Sequence, residues 1–396
     1  MTGTKPDRLK ILMLSTSYPT RPGSNSGVFV SRLVQAISTI ASEVSVVTPD
    51  DPVSQTSTGL VRARYAPKKF QVLAHSPGGV PVALRENKWL YFLVPSLLFS
   101  LYISTLKRAY SSDVLHANWA FSGAIGGLVK MISGIRLVTT LRGEDVKASM
   151  SRLNRFFLWI TLRYSDAVVV VSKEMGDELA LLYPAYSDKV SIINNGVGDE
   201  FITPGGKGRK REDSTMTLIS VGSLISRKNH AYIFDALSSL QRGGTAFRWT
   251  IVGAGIEMEA LQSMARFYGL EDSVIFSGEK SPREVAQLLH RNSIFISASK
   301  HEGRPNSVVE AMASGCCILL SDIPGHRELV NRSMGGYLFS LADVSELERV
   351  LKTLNEGGVD LCGKGDNARQ FVIDSGLTWE RCASAYVTNY LSVLSK

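Results

Sequence analysis

The chain predicts two doubly wound α/β domains, and three observations carry that prediction. Short runs rich in Val, Ile and Leu alternate with helix-like stretches along most of its 396 residues. Near-continuous apolar strands of this kind belong to parallel sheets covered by helices on both faces. The alternation stops at "TPGGKGRKREDS" (203–214), which is Gly-rich, strongly charged and without apolar periodicity, and then restarts. The length also suits two or three domains better than one. The expected division is a first domain over 1–202, a linker over 203–214 and a second domain over 215–377.

In the first domain "KILMLSTSY" reads as the opening strand, "VFVSRLVQAIS" as a helix and "EVSVVTP" as the second strand. "DVLHANW", "IRLVTTLRG", "AVVVVS" and "VSIINNG" follow as further short strands. After the linker the strands are "MTLISVG", "FRWTIVG", "SVIFSG", "SIFISAS", "CCILLSD" and "GYLF". Between them lie the helical patterns "HAYIFDALSSLQ", "EMEALQSMARFYG", "PREVAQLLH" and "SVVEAMAS", and "TWERCASAYVTNYLSVL" closes the chain as an amphipathic helix.

Composition narrows the function classes. With 44% hydrophobic and 20% charged residues the chain has ample material for two cores and no disordered character. The net charge of +8 favours an anionic partner: nucleotide phosphate, nucleic acid or an anionic membrane surface. Nucleic acid is discounted, because the basic residues scatter instead of interleaving with aromatics along one face. The four cysteines, Cys316, Cys317, Cys362 and Cys382, have no metal-ligand spacing, so neither a metal nor a disulfide framework is expected. Cys316 and Cys317 read as small core residues, and a reducing cytoplasm fits best. "WLYFLVPSLLFSLYISTL" (89–106) is the most hydrophobic segment. Interrupted by Pro95 and three serines, it reads as a helix mostly in the core, or lying on a membrane, in preference to a spanning one.

In open parallel sheets, ligands bind beyond the carboxyl ends of the strands. The loop "KHEGRPNS" sits there, after "SIFISAS", and carries Glu302 eight positions before Glu310 in the following helix. Pro305 with Asn306 or Ser307 suits a helix start, whose free N–H groups attract a phosphate. Glu310 can then accept bonds from ribose hydroxyls while Glu302 holds a sugar hydroxyl. The plainer alternative makes Glu310 a first-turn acid favouring the helix dipole and Glu302 a solvated carboxylate. In "VGSLISRKNH", Lys228 and Arg227 sit where cations neutralise a departing diphosphate, or else form a solvated basic loop. Gly27, in the Gly-rich loop after the first strand, permits close approach to phosphate or sugar. "WTIVGAGIEMEAL" has Gly253 and Gly255, but Met258 replaces the third Gly of a dinucleotide fingerprint, which argues against a dehydrogenase.

The stretch from Glu302 to Glu310 resembles the E-x7-E signature of retaining nucleotide-sugar glycosyltransferases of the GT-B fold, and the chain is similar to glycosyltransferase family 4. "PNSVVEAMASGCCILLSDIPGHRELV" carries the most recognisable likeness, and "LISVGSLISRKNH", "WTIVGAG", "SVIFSGE", "AVVVVSKEM" and "VSIINNGVG" precede it in the family's order. The resemblance implies two Rossmann-like domains facing across a cleft, with 378–396 packing back on the first. It implies retaining, metal-independent hexosyl transfer from a UDP- or GDP-linked sugar, with no cofactor and no metal ligands. The acceptor would be a glycan or lipid-linked saccharide, in cell-envelope polysaccharide or glycolipid synthesis, with the enzyme in the cytoplasm or peripheral at the inner face of the membrane.

By that likeness Glu310 binds the ribose and Glu302 the donor sugar. The amides of Gly303, Asn306, Ser307 and Val308 face sugar and diphosphate, and Glu279 in "FSGEK" lies beside the base. Gly27 faces the donor from the first domain, while Gly253 and Gly255 pack near the nucleotide. Lys228 and Arg227 act on the leaving group. Ser223 stands where many relatives carry Arg, which makes Arg227 a substitute. Arg142 stands where many carry His; permanently protonated, it cannot be a general base and would grip a diphosphate or an acidic acceptor instead. His116 and Asp145 complete the acceptor side. The rival readings are a catalytically impaired nucleotide-sugar binder of the same fold and a sugar-nucleotide epimerase.

Overall fold

The structure, a computed structural model, describes residues 9–20, 27–54, 57–73, 80, 83–84, 87–146, 151–202, 215–302, 305–356 and 360–396. The chain divides into two compact units, Met1–Gly196 with Trp379–Lys396, and Val197–Thr378. The 203–214 linker and Gly303 lie outside the described residues. Residues 197–202, read from sequence as the end of the first domain, pack with the second unit because Phe201 is buried in its core.

The first unit runs β1 (Lys10–Leu14), α1 (Val28–Ser38), β2 (Glu43–Pro49), β3 (Leu60–Ala63), α2 (Val94–Ala109), β4 (Val114–Asn118) and α3 (Ala120–Ser133). It continues with β5 (Arg136–Leu141), α4 (Arg152–Tyr164), β6 (Ala167–Val170), α5 (Lys173–Leu182) and β7 (Val190–Ile192). All seven strands pair in parallel, in the order β3-β2-β1-β4-β5-β6-β7. The order reverses between β1 and β4, so a crevice opens beyond their carboxyl ends.

The second unit runs β8 (Met216–Val221), α6 (His230–Arg242), β9 (Phe247–Val252), α7 (Met258–Phe267), β10 (Val274–Gly278), α8 (Pro282–Arg291) and β11 (Ile294–Ser297). Then come α9 (Asn306–Ala313), β12 (Cys317–Ser321), α10 (Pro324–Ser333), β13 (Gly336–Phe339), α11 (Val344–Asn355) and α12 (Leu361–Asp374). Its parallel sheet has the order β10-β9-β8-β11-β12-β13 and reverses between β8 and β11. Cys316 and Cys317 are fully buried in it. The last helix, α13 (Trp379–Leu394), belongs to the first unit.

Strand alternation sorts the first unit's core into two layers. Ile11, Met13, Val114 and Val138 face α1 and α13, where Tyr386 and Tyr390 are fully buried. Leu12, Leu14, Leu115 and Leu137 face α2 and α3. The hydrophobic 89–106 segment is not the core helix expected of most of its residues. A short 3-10 helix, Lys88–Leu93, leads into α2, and only the stripe Leu97, Leu101, Thr105 and Ala109 is buried. Lys88–Ala109 is long and apolar enough to cross a membrane by length and composition. The stripe instead seats it on the sheet beside β2 and β3.

Candidate functional site

Two polar constellations lie at the two switch points, one in each unit. In the second unit, Gly222 follows β8 and opens the loop that carries Arg227 and Lys228; Glu302 comes from the loop after β11, the neighbouring strand. Lys228 Nζ donates to Glu302 Oε1 at 2.6 Å, and Arg227 Nη1 donates to Oε2 at 3.2 Å. Arg227 also clamps the loops together, its Nη1 donating to the His301 carbonyl (3.1 Å) and its own carbonyl accepting from Lys300 N (2.9 Å). Glu302 is therefore buried and doubly paired, not a solvated carboxylate.

Burial alone would raise the Glu302 pKa, but the Lys228 and Arg227 cations, with a hydroxyl bond from Ser299, outweigh it and hold the carboxyl below its usual range. Beside this pair lies His326, at the start of α10 and fully buried. Its Nδ1 meets the Ser321 carbonyl at 3.0 Å; a carbonyl only accepts, so Nδ1 carries the proton. Desolvation, with Lys228 adding to it, lowers its pKa to about 4 against the pull of the Ser321 carbonyl and Glu302. A neutral imidazole thus sits beside the cation–carboxylate cluster. Sequence reading passed over His326, because a single His near a helix start has no periodic signal.

The glycines explain how the Lys228 loop is held. A Cβ on Gly222 (φ +154°) would sit 3.3 Å from Lys228 Cε, so its absence lets the lysine stem lie back across the strand end. A Cβ on Gly253 (φ +143°) would collide with the Gly222 carbonyl, and one on Gly255 with the Leu224 carbonyl. Gly253 and Gly255 thus set the distance between the loops after β8 and β9.

Asn306 and Ser307 open α9, half-buried, and Glu310 is half-buried in its second turn. Val308 differs from expectation: its amide donates to the Pro305 carbonyl (3.0 Å) and its side chain is in the core, so it is not among the outward-facing donors of the helix start. Glu279 is exposed just past β10, separated from the switch point by β9.

In the first unit, Gly27 caps α1 with left-handed backbone (φ 65°), and a Cβ there would run into the backbone of Ser17. Only glycine brings the start of α1 this close to the end of β1. Across the switch point, Asn118 ends β4 and Arg142 follows β5, both on the α13 side of the sheet. Arg142 Nε donates to Asn118 Oδ1 (3.2 Å), its Nη1 donates to Asn195 Oδ1 (2.8 Å), and its guanidinium stacks 4.7 Å from the Phe29 ring. Its Nη2 and the Asn118 Nδ2 are buried with no hydrogen-bond partner among the described residues. Burial lowers the Arg142 pKa, countered by Tyr386, Cys382 and Asp145, and an arginine so placed keeps its charge. Asp145 orders the corner: Oδ2 accepts from Arg142 N (2.7 Å) and Oδ1 from Ala120 N (3.2 Å). Trp119, between Asn118 and Ala120, is held at φ 68°, ψ 155°, a conformation that costs a non-glycine residue on the order of 1–3 kcal/mol.

His116 is not on the acceptor side as expected. β4 alternation turns it inward, fully buried, with Nδ1 2.6 Å from the Tyr390 hydroxyl and Nε2 2.8 Å from Thr140 Oγ1. Desolvation, then Arg142, lowers its pKa to about 3, so it is a neutral pin between the sheet and α13.

Comparison with known proteins agrees with this two-sheet architecture. Residues 26–201 match Glycosyltransferase Family 4 and residues 207–369 match Glycosyl transferases group 1. The amylovoran biosynthesis glycosyltransferase AmsK of Erwinia amylovora is 24% identical over 275 residues, 67% of each chain. Sucrose-phosphate synthase of Thermosynechococcus elongatus superimposes with a TM-score of 0.79 at 18% identity, over 98% of this chain and 99% of that one. Anabaena Alr3699/HepE in complex with UDP-glucose gives 0.73 at 15% identity, over 97% and 99%. With both halves matched in order and the two-sheet architecture shared, the chain belongs to the group 1, family 4 glycosyltransferases of GT-B fold.

Proposed function

We propose that this glycosyltransferase moves a hexose from a UDP- or GDP-linked donor to a glycan or lipid-linked saccharide, with retention, in the cytoplasmic synthesis of a cell-envelope polysaccharide or glycolipid. The observation that carries this reading is the Lys228–Glu302–Arg227 cluster at the β8/β11 switch point, beside the start of α9. The names of relatives support the biosynthetic class and a UDP-sugar donor.

In this mechanism the donor's diphosphate lies against the first turn of α9 and shares the two cations with Glu302. Glu310 accepts from the ribose hydroxyls, and Glu302 turns its freed lone pairs to a hydroxyl of the sugar. As the anomeric C–O bond breaks, Lys228 and Arg227 take up the charge growing on the leaving phosphate. That phosphate accepts the proton of the incoming acceptor hydroxyl, which attacks from the same face, so retention needs no protein base. The positive charge is the protein's own, and the reading needs no divalent ion. Arg142, oriented by Asn118 and Asn195 in a corner that Asp145 orders, grips an anionic group on the substrate.

The test is thermal stabilisation by UDP, GDP, ADP and their common sugar conjugates, without added metal. One nucleotide is expected to stabilise the wild type by about 2.7 kcal/mol at a hundredfold excess over its Kd. Glu310→Ala is expected to lose most of that shift. Stabilisation by none of them, or full donor affinity in Glu310→Ala, would overturn the reading.

A further inference from the structure

We infer that the first domain docks on an anionic lipid bilayer through one face built from α2, α3 and α4. These helices lie side by side on the same layer of the sheet, α3 between α2 and α4. Small residues bring α3 and α4 close: a Cβ on Gly123 would sit 2.6 Å from the Thr161 side chain, and one on Gly127 3.0 Å from Tyr164 Cβ. Phe121 of α3 and Phe157 of α4 pack edge to face at 5.2 Å across the seam. The outer surface of the three helices is therefore continuous.

That outer surface is apolar where a water-facing helix carries polar side chains. Trp89 (77% exposed) and Phe92 (76%) stack on each other in solvent at 5.8 Å, and Phe99 (67%) lies a further two turns along. α3 adds Met131 (60%) and Ile132 (61%), and α4 adds a second exposed stacked pair, Phe156 and Trp159, at 6.3 Å. With roughly 150–250 Å² of surface per aromatic side chain, Trp89, Phe92 and Phe99 alone leave on the order of 450 Å² in water. The largest apolar patch of a typical soluble monomer is about 300–600 Å² in total, so these three side chains alone already match it.

Charge selects the occupant. Residues 88–109, 120–133 and 152–164 contain no Asp or Glu. They carry Lys88 at one end of the first segment, Lys107 and Arg108 at the other, and Arg152, Arg155 and Arg163 along α4. An apolar strip with exposed Trp and Phe, rimmed by cations of one sign, matches the acyl–headgroup boundary of an anionic membrane. α2 lies in that boundary and does not cross it, because Leu97, Leu101 and Ala109 pack in the core against the sheet. A lipid-linked acceptor would meet the enzyme on the domain that faces the bilayer. The docking inference itself rests on this surface and not on the transfer chemistry.

Flotation of the full-length protein with vesicles tests it, comparing pure phosphatidylcholine with phosphatidylcholine containing about one-third phosphatidylglycerol. The expected result is at least tenfold stronger partition to the anionic vesicles, weakening as salt rises. Trp89→Ser/Phe92→Ser and, separately, Lys107→Glu/Arg108→Glu are each expected to reduce that partition at least tenfold while leaving thermal stability unchanged. Equal or no partition to both vesicle types would overturn the inference. So would protein that resists carbonate extraction, which means α2 spans, or a sedimenting dimer that the Trp89→Ser/Phe92→Ser variant abolishes, which means a second copy covers the face. None of these readouts involves nucleotide, so failure here leaves the transfer reading to its own test.

Discussion

Lys228→Met probes the cluster at the second switch point most directly. The ion pair it removes is unequal in its two arms. The Lys228 side chain is 15% exposed and Glu302 7%, whereas Arg227 is 40% exposed. Removing one partner of a buried pair costs about 3–5 kcal/mol, because a charge is left without its counter-ion. The remaining Arg227 bond, at 3.2 Å and screened by water, returns at most about 1 kcal/mol. The net loss is about 2–4 kcal/mol, or roughly 5–15 °C in melting temperature for a domain of this size. Glu302→Gln should cost less, about 1–2 kcal/mol, because an amide oxygen still accepts from Lys228 and the ammonium can reach water. In the double variant the two losses should fall short of their sum by about 1–3 kcal/mol.

The pH dependence sharpens the test. In the wild type the Glu302 pKa is held below its unfolded value, so its stabilisation is full above about 4.5 and is lost as pH falls below that value. Without Lys228, burial is the largest single influence, opposed by Arg227 and Ser299, and the carboxyl is expected to prefer its proton. The sign then reverses, and Lys228→Met loses stability as pH rises above about 4.5. Melting curves of all four proteins between pH 4 and 8 check both points. Losses that add within about 0.5 kcal/mol, or a Lys228→Met profile parallel to wild type, would refute the account of Glu302 as a buried carboxylate held charged by its cations.

Two further outcomes follow from the first domain. Gly27→Ala combines left-handed backbone with a collision against the Ser17 backbone, so it should cost about 2–4 kcal/mol in thermal melting, where Ser31→Ala, one turn into the same helix, should cost little. His116 takes its proton at about pH 6.5 unfolded but only near 3 when folded, so its stabilisation is complete above 6.5 and is lost as pH falls. By pH 4 that is about 3 kcal/mol, and His116→Gln should be less stable at pH 7 yet show a flatter acid limb.

What the sequence disclosed and what it withheld divide along a physical line. The strands β1, β2 and β4 to β13 were legible because nearly all are short apolar runs punctuated by Gly, Pro or Ser. β3 was not, since "LVRA" is a four-residue edge strand carrying Arg62, whose Nη2 donates to the Pro19 carbonyl at 2.6 Å. Lys228, Arg227 and Glu302 could be singled out because each lies in a loop at a strand's carboxyl end, where topology alone concentrates ligands. That they bind one another could not be read, because 74 residues separate Lys228 from Glu302. The same holds for Asn118, Arg142 and Asn195, which converge only once β4, β5 and the end of β7 are side by side.

His116 shows the converse error. A histidine at the end of a strand suggests a site, yet one residue of register decides whether it faces water or core. That choice was made by Tyr390 and Thr140, whose hydroxyls satisfy both ring nitrogens in the interior. Arg142 lies on the same face two residues beyond Thr140, where the sheet ends and α13 no longer supplies partners for every donor. Its guanidinium is held by neutral amide oxygens, and one nitrogen has no partner among the described residues. A buried hydrogen-bonding group left in that state costs about 1–3 kcal/mol. The strained Trp119 backbone lies at the same strand ends. An incompletely paired guanidinium and a strained backbone meet at these strand ends, and under the function proposed above an anionic group on the substrate is the partner that would relieve the first.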